Sequence, residues 1–521
     1  MERNVKLIDC TLRDGAHLNK GFFGYKTIKE TIYDLVEAKV DIIEIGFFAN
    51  GEFDDDHTYI SSIKDVKKML PKNTGSSKFS LMADFVDVDQ IEPYDGTVDY
   101  FRLSFKRHRL DWAIKSAKTL MSKGYKCFLN PVNCNVYTDE QYLQVLHKVN
   151  ELHPYGFSIV DTFGVMRKPD LSHFYYLAEK NLDSNITIGI HLHENLGLAY
   201  SLAQHFLEIA NPMRKITIDG SLLGMGRVPG NLCIEQIMDH LNLQYGKNYS
   251  TEPAYDAIDD YIAPIKKVIP WGYSIPYALS GKYGLHRTYA EFLMEKKRLK
   301  TKDIQRILRL VDKEHTELFD EQYAEKLYRQ YISVEYDDSN DVKILSEKLH
   351  NKKVFVICPG SSLVEYKEKI INTLEEEKNS VSISVNFIPD FLKMDFVFCA
   401  NAKRLSNIND KTDISKIITS NLIEQSKEKY NLVFSFNNCV YFNEEFCEDS
   451  TLMLLKILNN CGCKDVYLIG FDGFDSKGHN YYSNTYTKEE GKNISVKTVK
   501  QIISSFDKIK LHFITPSLYE I

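Results

Sequence analysis

No apolar run in this sequence approaches the about 18 residues that a membrane-spanning helix needs. Residues 1–10, MERNVKLIDC, lack the basic-then-apolar pattern of an export leader. The ten cysteines are scattered. No CxxC pairs with another, and Cys461 and Cys463 stand too close for an ordinary zinc half-site. Free thiols in a reducing cytoplasm are the expectation. The net charge of -7, with only short basic clusters such as KRHRL at 106–110, gives a nucleic-acid partner no electrostatic basis. Internal repeats and low-complexity segments are also missing. What remains is an ordinary globular composition, 43% hydrophobic and 26% charged, over 521 residues. That length implies more than one hydrophobic core.

Short β-rich runs recur through the first half: VKLIDCT (5–11), IIEIGF (42–47), KFSLMAD (78–84), YFRLSF (100–105), KCFLNPV (126–132), GFSIVDT (156–162), ITIGIHLHE (186–194) and KITIDGS (215–221). Segments of helical period separate them, for example 27–40 and 198–210. Strands alternating with helices imply right-handed crossovers and a parallel sheet. Eight such units predict an α/β fold, a (β/α)8 TIM barrel over 1–254; an open doubly wound sheet is the alternative. Residues 255–350 turn helical and charged and read as an extension that completes the active site. Alternation resumes at KKVFVICPG (352–360), then VSISVN, MDFVFCA, NLVFSF, KDVYLIGFD and KLHFITP. A separate Rossmann-like α/β domain is expected over 351–521.

Barrel chemistry sits where the strands end, at the C-terminal face. Strand one ends in Arg13-Asp14, strand seven carries HLHE, and strand eight runs into DGSLLGMGRVPGN (219–231). His191 and His193, two apart on an extended strand, point to the same side. Neutral, they form two legs of a divalent-metal site, and a carboxylate such as Asp14 supplies the third. Three protein ligands leave positions open for a bidentate 2-oxo acid. Arg13 could hold a developing oxyanion, and His17 could act as general base. The plainer alternatives are a salt bridge from Arg13 to Asp14 and a loop histidine at 17.

DCTLRDGAH, HLHENLG and DGSLLGMGRVPGN together resemble the DRE-TIM metallolyase superfamily over roughly residues 1–290. That superfamily includes 3-hydroxy-3-methylglutaryl-CoA lyase, isopropylmalate and homocitrate synthases, and 4-hydroxy-2-oxovalerate aldolase. The resemblance implies a TIM barrel with Mg²⁺ or Mn²⁺ on Asp14, His191 and His193, and Asn231 as a further ligand. Claisen-type synthases continue the arginine motif as LRDGEQ, whereas this chain has LRDGAH, as in the 4-hydroxy-2-oxo acid aldolases. In that branch His17 corresponds to the base, Arg13 stabilises the pyruvate enolate, and a tyrosine comes from the helical extension. WGYSIPYALSGKYG (271–284) offers Tyr277, with Tyr273 and Tyr283 as rivals. The implied reaction is reversible aldol cleavage of a 4-hydroxy-2-oxo acid to pyruvate and an aldehyde, by a cytoplasmic homo-oligomer. A Claisen-type acyl-CoA lyase or synthase is the second possibility. A glycosyltransferase carrying a non-catalytic barrel is the third.

In the last domain, VFVICPGSSL (354–363) is a strand, a glycine turn and a helix start. Backbone amides there, with Ser361 or Ser362, would suit a phosphate. With the later Asp472, His479 and two tyrosines, the domain faintly resembles bacterial sialyltransferase-like domains. That resemblance implies a sugar-nucleotide partner and a place in surface-polysaccharide synthesis.

Overall fold

All eight apolar runs of the first half form strands. In chain order they are β1 (Val5–Asp9), β2 (Ile42–Phe48), β3 (Lys78–Asp84), β4 (Tyr100–Phe105), β5 (Lys126–Pro131), β6 (Gly156–Asp161), β7 (Thr187–Leu192) and β8 (Ile216–Gly220). They hydrogen-bond in the order β1-β8-β7-β6-β5-β4-β3-β2, and β2 pairs back onto β1. Each pairing is parallel, so the sheet closes into the expected barrel. The computed structural model describes residues 3–520, apart from 297, 317, 334, 409–413, 426–429, 443–445 and 474–494. Two compact units divide the chain, Met1–Arg287 and Thr288–Ile521. No helix among the described residues is long and apolar enough to cross a membrane.

Alternation along each strand separates the barrel's outer core from its interior. Phe101, Leu103 and Phe105 of β4 join the large cluster beneath the helices. Tyr100 points the other way and packs with Ile8, Ile42 and Phe128 in an apolar interior layer. Two residues further along β2 and β4, on the same interior face, stand Glu44 and Arg102. Each is fully buried, as is Asp219 of β8. The interior thus changes from hydrocarbon to charge towards the C-terminal ends, and this change positions the site.

Unit two holds a seven-stranded sheet: β9 (Lys353–Ile357), β10 (Ser380–Val385), β11 (Phe396–Cys399), β12 (Ser415–Thr419), β13 (Leu432–Phe434), β14 (Asp465–Ile469) and β15 (Lys510–Phe513). Its order is β13-β12-β11-β10-β9-β14-β15, parallel throughout. This is a doubly wound sheet, as expected, with one more strand than the six the sequence suggests. β12 escapes notice because its apolar content is only Ile417 and Ile418 of SKIIT, and its burial comes from pairing on both sides with β11 and β13.

Candidate metal centre

The Arg13–Asp14 motif does not sit at the end of β1. That strand closes at Asp9, and Thr11–Asn19 forms a nine-residue helix carrying Arg13, Asp14 and His17. One helical turn brings Asp14 and His17 to the same face, with His17 Nε2 3.6 Å from Asp14 Oδ1. Arg13 turns inward, donating Nε–H to Glu44 Oε2 at 2.7 Å and Nη1–H to Asp14 Oδ1 at 2.8 Å. Its Nη2 makes no hydrogen bond among the described residues.

Asp14, His191 and His193 converge. Each offers a ligand atom, these atoms lie within 4.8 Å of one another, and all three side chains are buried. Hydrogen bonds behind the imidazoles fix their tautomers. His193 Nδ1 lies 2.9 Å from the Asp161 carbonyl, which can only accept, so Nδ1 carries the proton. His191 Nδ1 lies 2.9 Å from Asp219 Oδ2 and donates in the same way. In its neutral form each ring therefore presents Nε2 as a lone pair, the arrangement that orients metal-binding histidines. Burial pushes His193 down to about 3, helped by the neighbouring His191, so it is neutral. Burial also acts to lower His191, but its bonds to Asp14 and Asp219 outweigh that and raise it. For Asp14, burial acts to raise the carboxyl, but Arg13, His191 and His17 outweigh it and hold it well below its ordinary range.

Asn231 completes the cluster. It faces His193 across a bridge between the chain segments, and its Nδ2 donates to Asp14 Oδ2 at 2.5 Å. Its Oδ1 is buried and bonded to nothing among the described residues. One carboxylate, two oriented imidazoles and an unpartnered amide oxygen fit a divalent cation. Gly226 makes this approach possible: a Cβ there would lie 2.3 Å from Asn231 Nδ2 and 2.9 Å from Asp14 Oδ2. Gly226→Ala is expected to weaken divalent-metal binding by about 10–100-fold, the equivalent of about 1–3 kcal/mol of overpacking. Metal titration of the purified variant measures this, and unchanged affinity would contradict it.

His17 sits at the mouth. Burial pushes its pKa down to about 4, against the pull of Asp14 and with help from Arg13, Arg227 and Arg287. Water reaches 41% of the side chain and softens this effect, and the ring is neutral at pH 7. Tyr277 lies on the helix Ile275–Lys282, where its carbonyl accepts from Asn195 Nδ2 at 3.4 Å. Gly281 of the same helix lies against Val165 and Phe163, so the helix covers the ends of β6 and β7. Tyr273 is 59% exposed and Tyr283 is partly buried.

Sequence reasoning missed the support beneath these residues. Arg102 donates Nη1–H to Glu44 Oε2 at 3.0 Å and Nη2–H to Asp219 Oδ2. The chain Asp14–Arg13–Glu44–Arg102–Asp219–His191 therefore returns to Asp14, 3.6 Å from His191 Nε2. The available signal was a lone charge at an interior position of three apolar strands: IIEIGF, YFRLSF and KITIDGS.

Residues 4–258 match the HMGL-like family. The barrel is an HMGL-like domain. Among curated relatives, a probable 2-isopropylmalate synthase of Methanosarcina mazei is 26% identical over 261 residues, covering 49% of this chain and 49% of that one. A 4-hydroxy-2-oxovalerate aldolase of Pseudoalteromonas translucida is 23% identical over 280 residues, covering 50% of this chain and 77% of the relative. The chain spans about half the length of the isopropylmalate synthases it matches. Among solved structures, HMG-CoA lyase from Bacillus subtilis aligns with a TM-score of 0.41 at 16% identity, over 52% of this chain and 95% of that one. The curated relatives of the HMGL-like barrel thus include both an aldolase and synthases.

In unit two, the turn after β9 differs from expectation. Asp472 accepts from the Ser362 amide at 2.8 Å and from the Ser362 and Ser361 hydroxyls at 2.5 and 3.4 Å. A carboxylate of the chain itself fills the place expected for a phosphate. His479 and the tyrosines 481 and 482 lie outside the described residues.

Proposed function

We propose that the barrel catalyses reversible aldol cleavage of a 4-hydroxy-2-oxo acid to pyruvate and an aldehyde. The observation that carries this reading is the placement of His17, one helical turn from Asp14 and open to water on part of its ring. A neutral imidazole at that distance can take the 4-hydroxyl proton. Asp14, His191, His193 and Asn231 would hold Mg²⁺ or Mn²⁺, which suits mixed carboxylate, imidazole and amide donors. When bound, the ion supplies Lewis acidity towards the 2-oxo acid.

The chain's own residues supply the rest. His17 accepts the 4-hydroxyl proton as the C3–C4 bond breaks. The electron pair moves towards the 2-oxo group, and an aldehyde leaves. Arg13, fixed by Glu44 and Asp14, directs Nη2 at the developing negative charge. Protonation at C3 then yields pyruvate, with Tyr277 as the candidate relay. In synthesis the same groups act in reverse. The test is deuterium exchange at the pyruvate methyl group, which needs no aldehyde. Exchange that chelator abolishes and Mn²⁺ restores supports the reading, and its absence from metal-loaded protein refutes it.

His17→Ala is expected to retain the ion and lower turnover by about 10²–10⁴-fold, the usual contribution of a general base. Measured turnover within twofold of the parent would remove His17 from that role. A second reading, condensation of an acyl-CoA with a 2-oxo acid, draws support from the synthases among the relatives. Thiol release from acetyl-CoA in the presence of a 2-oxo acid would favour it.

A further inference from the structure

The basic cluster KRHRL at 106–110 falls at the mouth of the barrel. β4 ends at Phe105, and the backbone stays extended through Lys106, at φ −79° and ψ 154°. Side chains alternate along such a chain, so Lys106 lies on the inward side with Tyr100, Arg102 and Ser104. Arg102 reaches from β4 across the interior to Asp219 of β8, which holds His191. Lys106 follows four residues later, about 13 Å further towards the open end. β4 and β8 stand on opposite sides of the closed sheet, so Lys106 faces the metal centre across the mouth.

Lys106 is exposed, and its ammonium has no hydrogen bond or ion pair among the described residues. Arg109 forms no ion pair either. Its guanidinium carbon lies 3.7 Å from the centre of the Phe85 ring, and that ring packs against Trp112 at 5.5 Å. Phe85 follows the last residue of β3, lies in the left-handed region at φ 53° and leaves 53% of its surface exposed. A bulky side chain keeps such a backbone only where its surroundings impose it. Here the strained residue gives up burial and serves as a platform for a guanidinium.

Both cations act on Asp84, the last residue of β3 and the register partner of Ser104. Partial burial raises its carboxyl against the pull of Arg109, Lys106 and Arg13, and it forms an ion pair with none of them. Asp84 thus links the two cations in space to Arg13, the residue assigned to the enolate. Arg227 donates Nη2–H to His286 Nε2 at 3.1 Å. Burial, with Arg227, Arg287 and Lys106, pushes His286 down to about 4, so the imidazole beside Lys106 adds no charge of its own at pH 7.

We infer that the aldehyde used by this barrel carries an anionic group, a carboxylate or a phosphate, at the end remote from its carbonyl, and that Lys106 binds this group with Arg109 beside it. An aldol product whose 2-oxo acid end lies at Asp14, His191 and His193 extends across the mouth, and its far end meets Lys106. The inference rests on the aldol reading above and adds to it the class of aldehyde.

Two matched pairs of aldehydes test it with pyruvate and the metal-loaded full chain: succinic semialdehyde against butanal, and glyceraldehyde 3-phosphate against glyceraldehyde. In at least one pair the anionic member is expected to have the higher kcat/KM, by about tenfold or more and chiefly through a lower KM, as a charge-assisted bond provides. The pair that shows the preference distinguishes carboxylate from phosphate. Lys106→Ala should reduce that preference, a ratio taken on one protein, by about tenfold, and Lys106→Arg should retain it. Added salt should reduce it too. Pyruvate methyl exchange, which needs no aldehyde, separates the two ways of failing. Where exchange occurs, equal use of charged and neutral aldehydes, use of none, or a preference that survives Lys106→Ala overturns the anion site and leaves the aldol reading standing. Absence of exchange refutes that reading and the anion site with it.

Discussion

His193→Ala and Asp14→Ala are each expected to strip the barrel of its divalent ion and reduce pyruvate exchange to background. Three side-chain atoms within 4.8 Å of one another form the core of the site. Removing one leaves two protein donors and the Asn231 amide, too few to compete with water for a divalent cation. Alanine at either position fits the buried space, so the fold should survive, as circular dichroism would show. Asp219→Asn provides the contrast. Asp219 reaches the centre only through His191 Nδ1, at 2.9 Å. Its loss should therefore cost about 10–100-fold in metal affinity, the scale of an orienting partner. Metal bound per chain after gel filtration and affinity by competition separate the two classes. A His193→Ala protein holding one ion with the parent's affinity would refute the assignment.

How much of this was legible depends on the range of the interaction that decides it. The barrel strands were legible because parallel strands buried on both faces read as unbroken apolar runs, and each predicted span overlaps the observed one. Asp14 and the His191–His193 pair were legible as metal-ligating residue types in segments that meet at one face of the barrel, although Asp14 lies on a helix and not at a strand end. The helix Thr11–Asn19 was not. It has a glycine at 15, no side-chain N-cap and few apolar residues, and tertiary packing holds it. Gly15 itself lies against Met225 and Phe23, where a Cβ would stand 2.9 Å from each. β12 was hidden for a related reason, since its neighbours bury it. The turn at Ser361 and Ser362 misled because the group that takes its amide, Asp472, lies 110 residues further along the chain. Local pattern identifies donors, but it does not say which acceptor arrives first.

Arg102→Leu is expected to destabilise the barrel by about 3–5 kcal/mol, the cost of breaking a buried ion pair by deleting one partner. Arg102 is fully buried, and its two amino groups serve Glu44 and Asp219, which are buried as well. Leucine replaces its volume in part and neither of its charges. Glu44 would keep only Arg13, and Asp219 only His191. The buried ring would then hold three carboxylates, Asp14, Glu44 and Asp219, against the single guanidinium of Arg13 in a low-dielectric interior. Arg102→Lys should fall between, because one ammonium cannot span both carboxylates as the planar fork does. The cause can be isolated. If uncompensated charge is responsible, adding Glu44→Gln and Asp219→Asn to Arg102→Leu should recover part of the loss; if packing is responsible, it should not. Tryptophan fluorescence during urea unfolding reads the barrel alone, because both tryptophans, Trp112 and Trp271, belong to unit one. A loss below about 1 kcal/mol in Arg102→Leu would mean that the ring of charges beneath the metal centre positions its ligands without stabilising the fold.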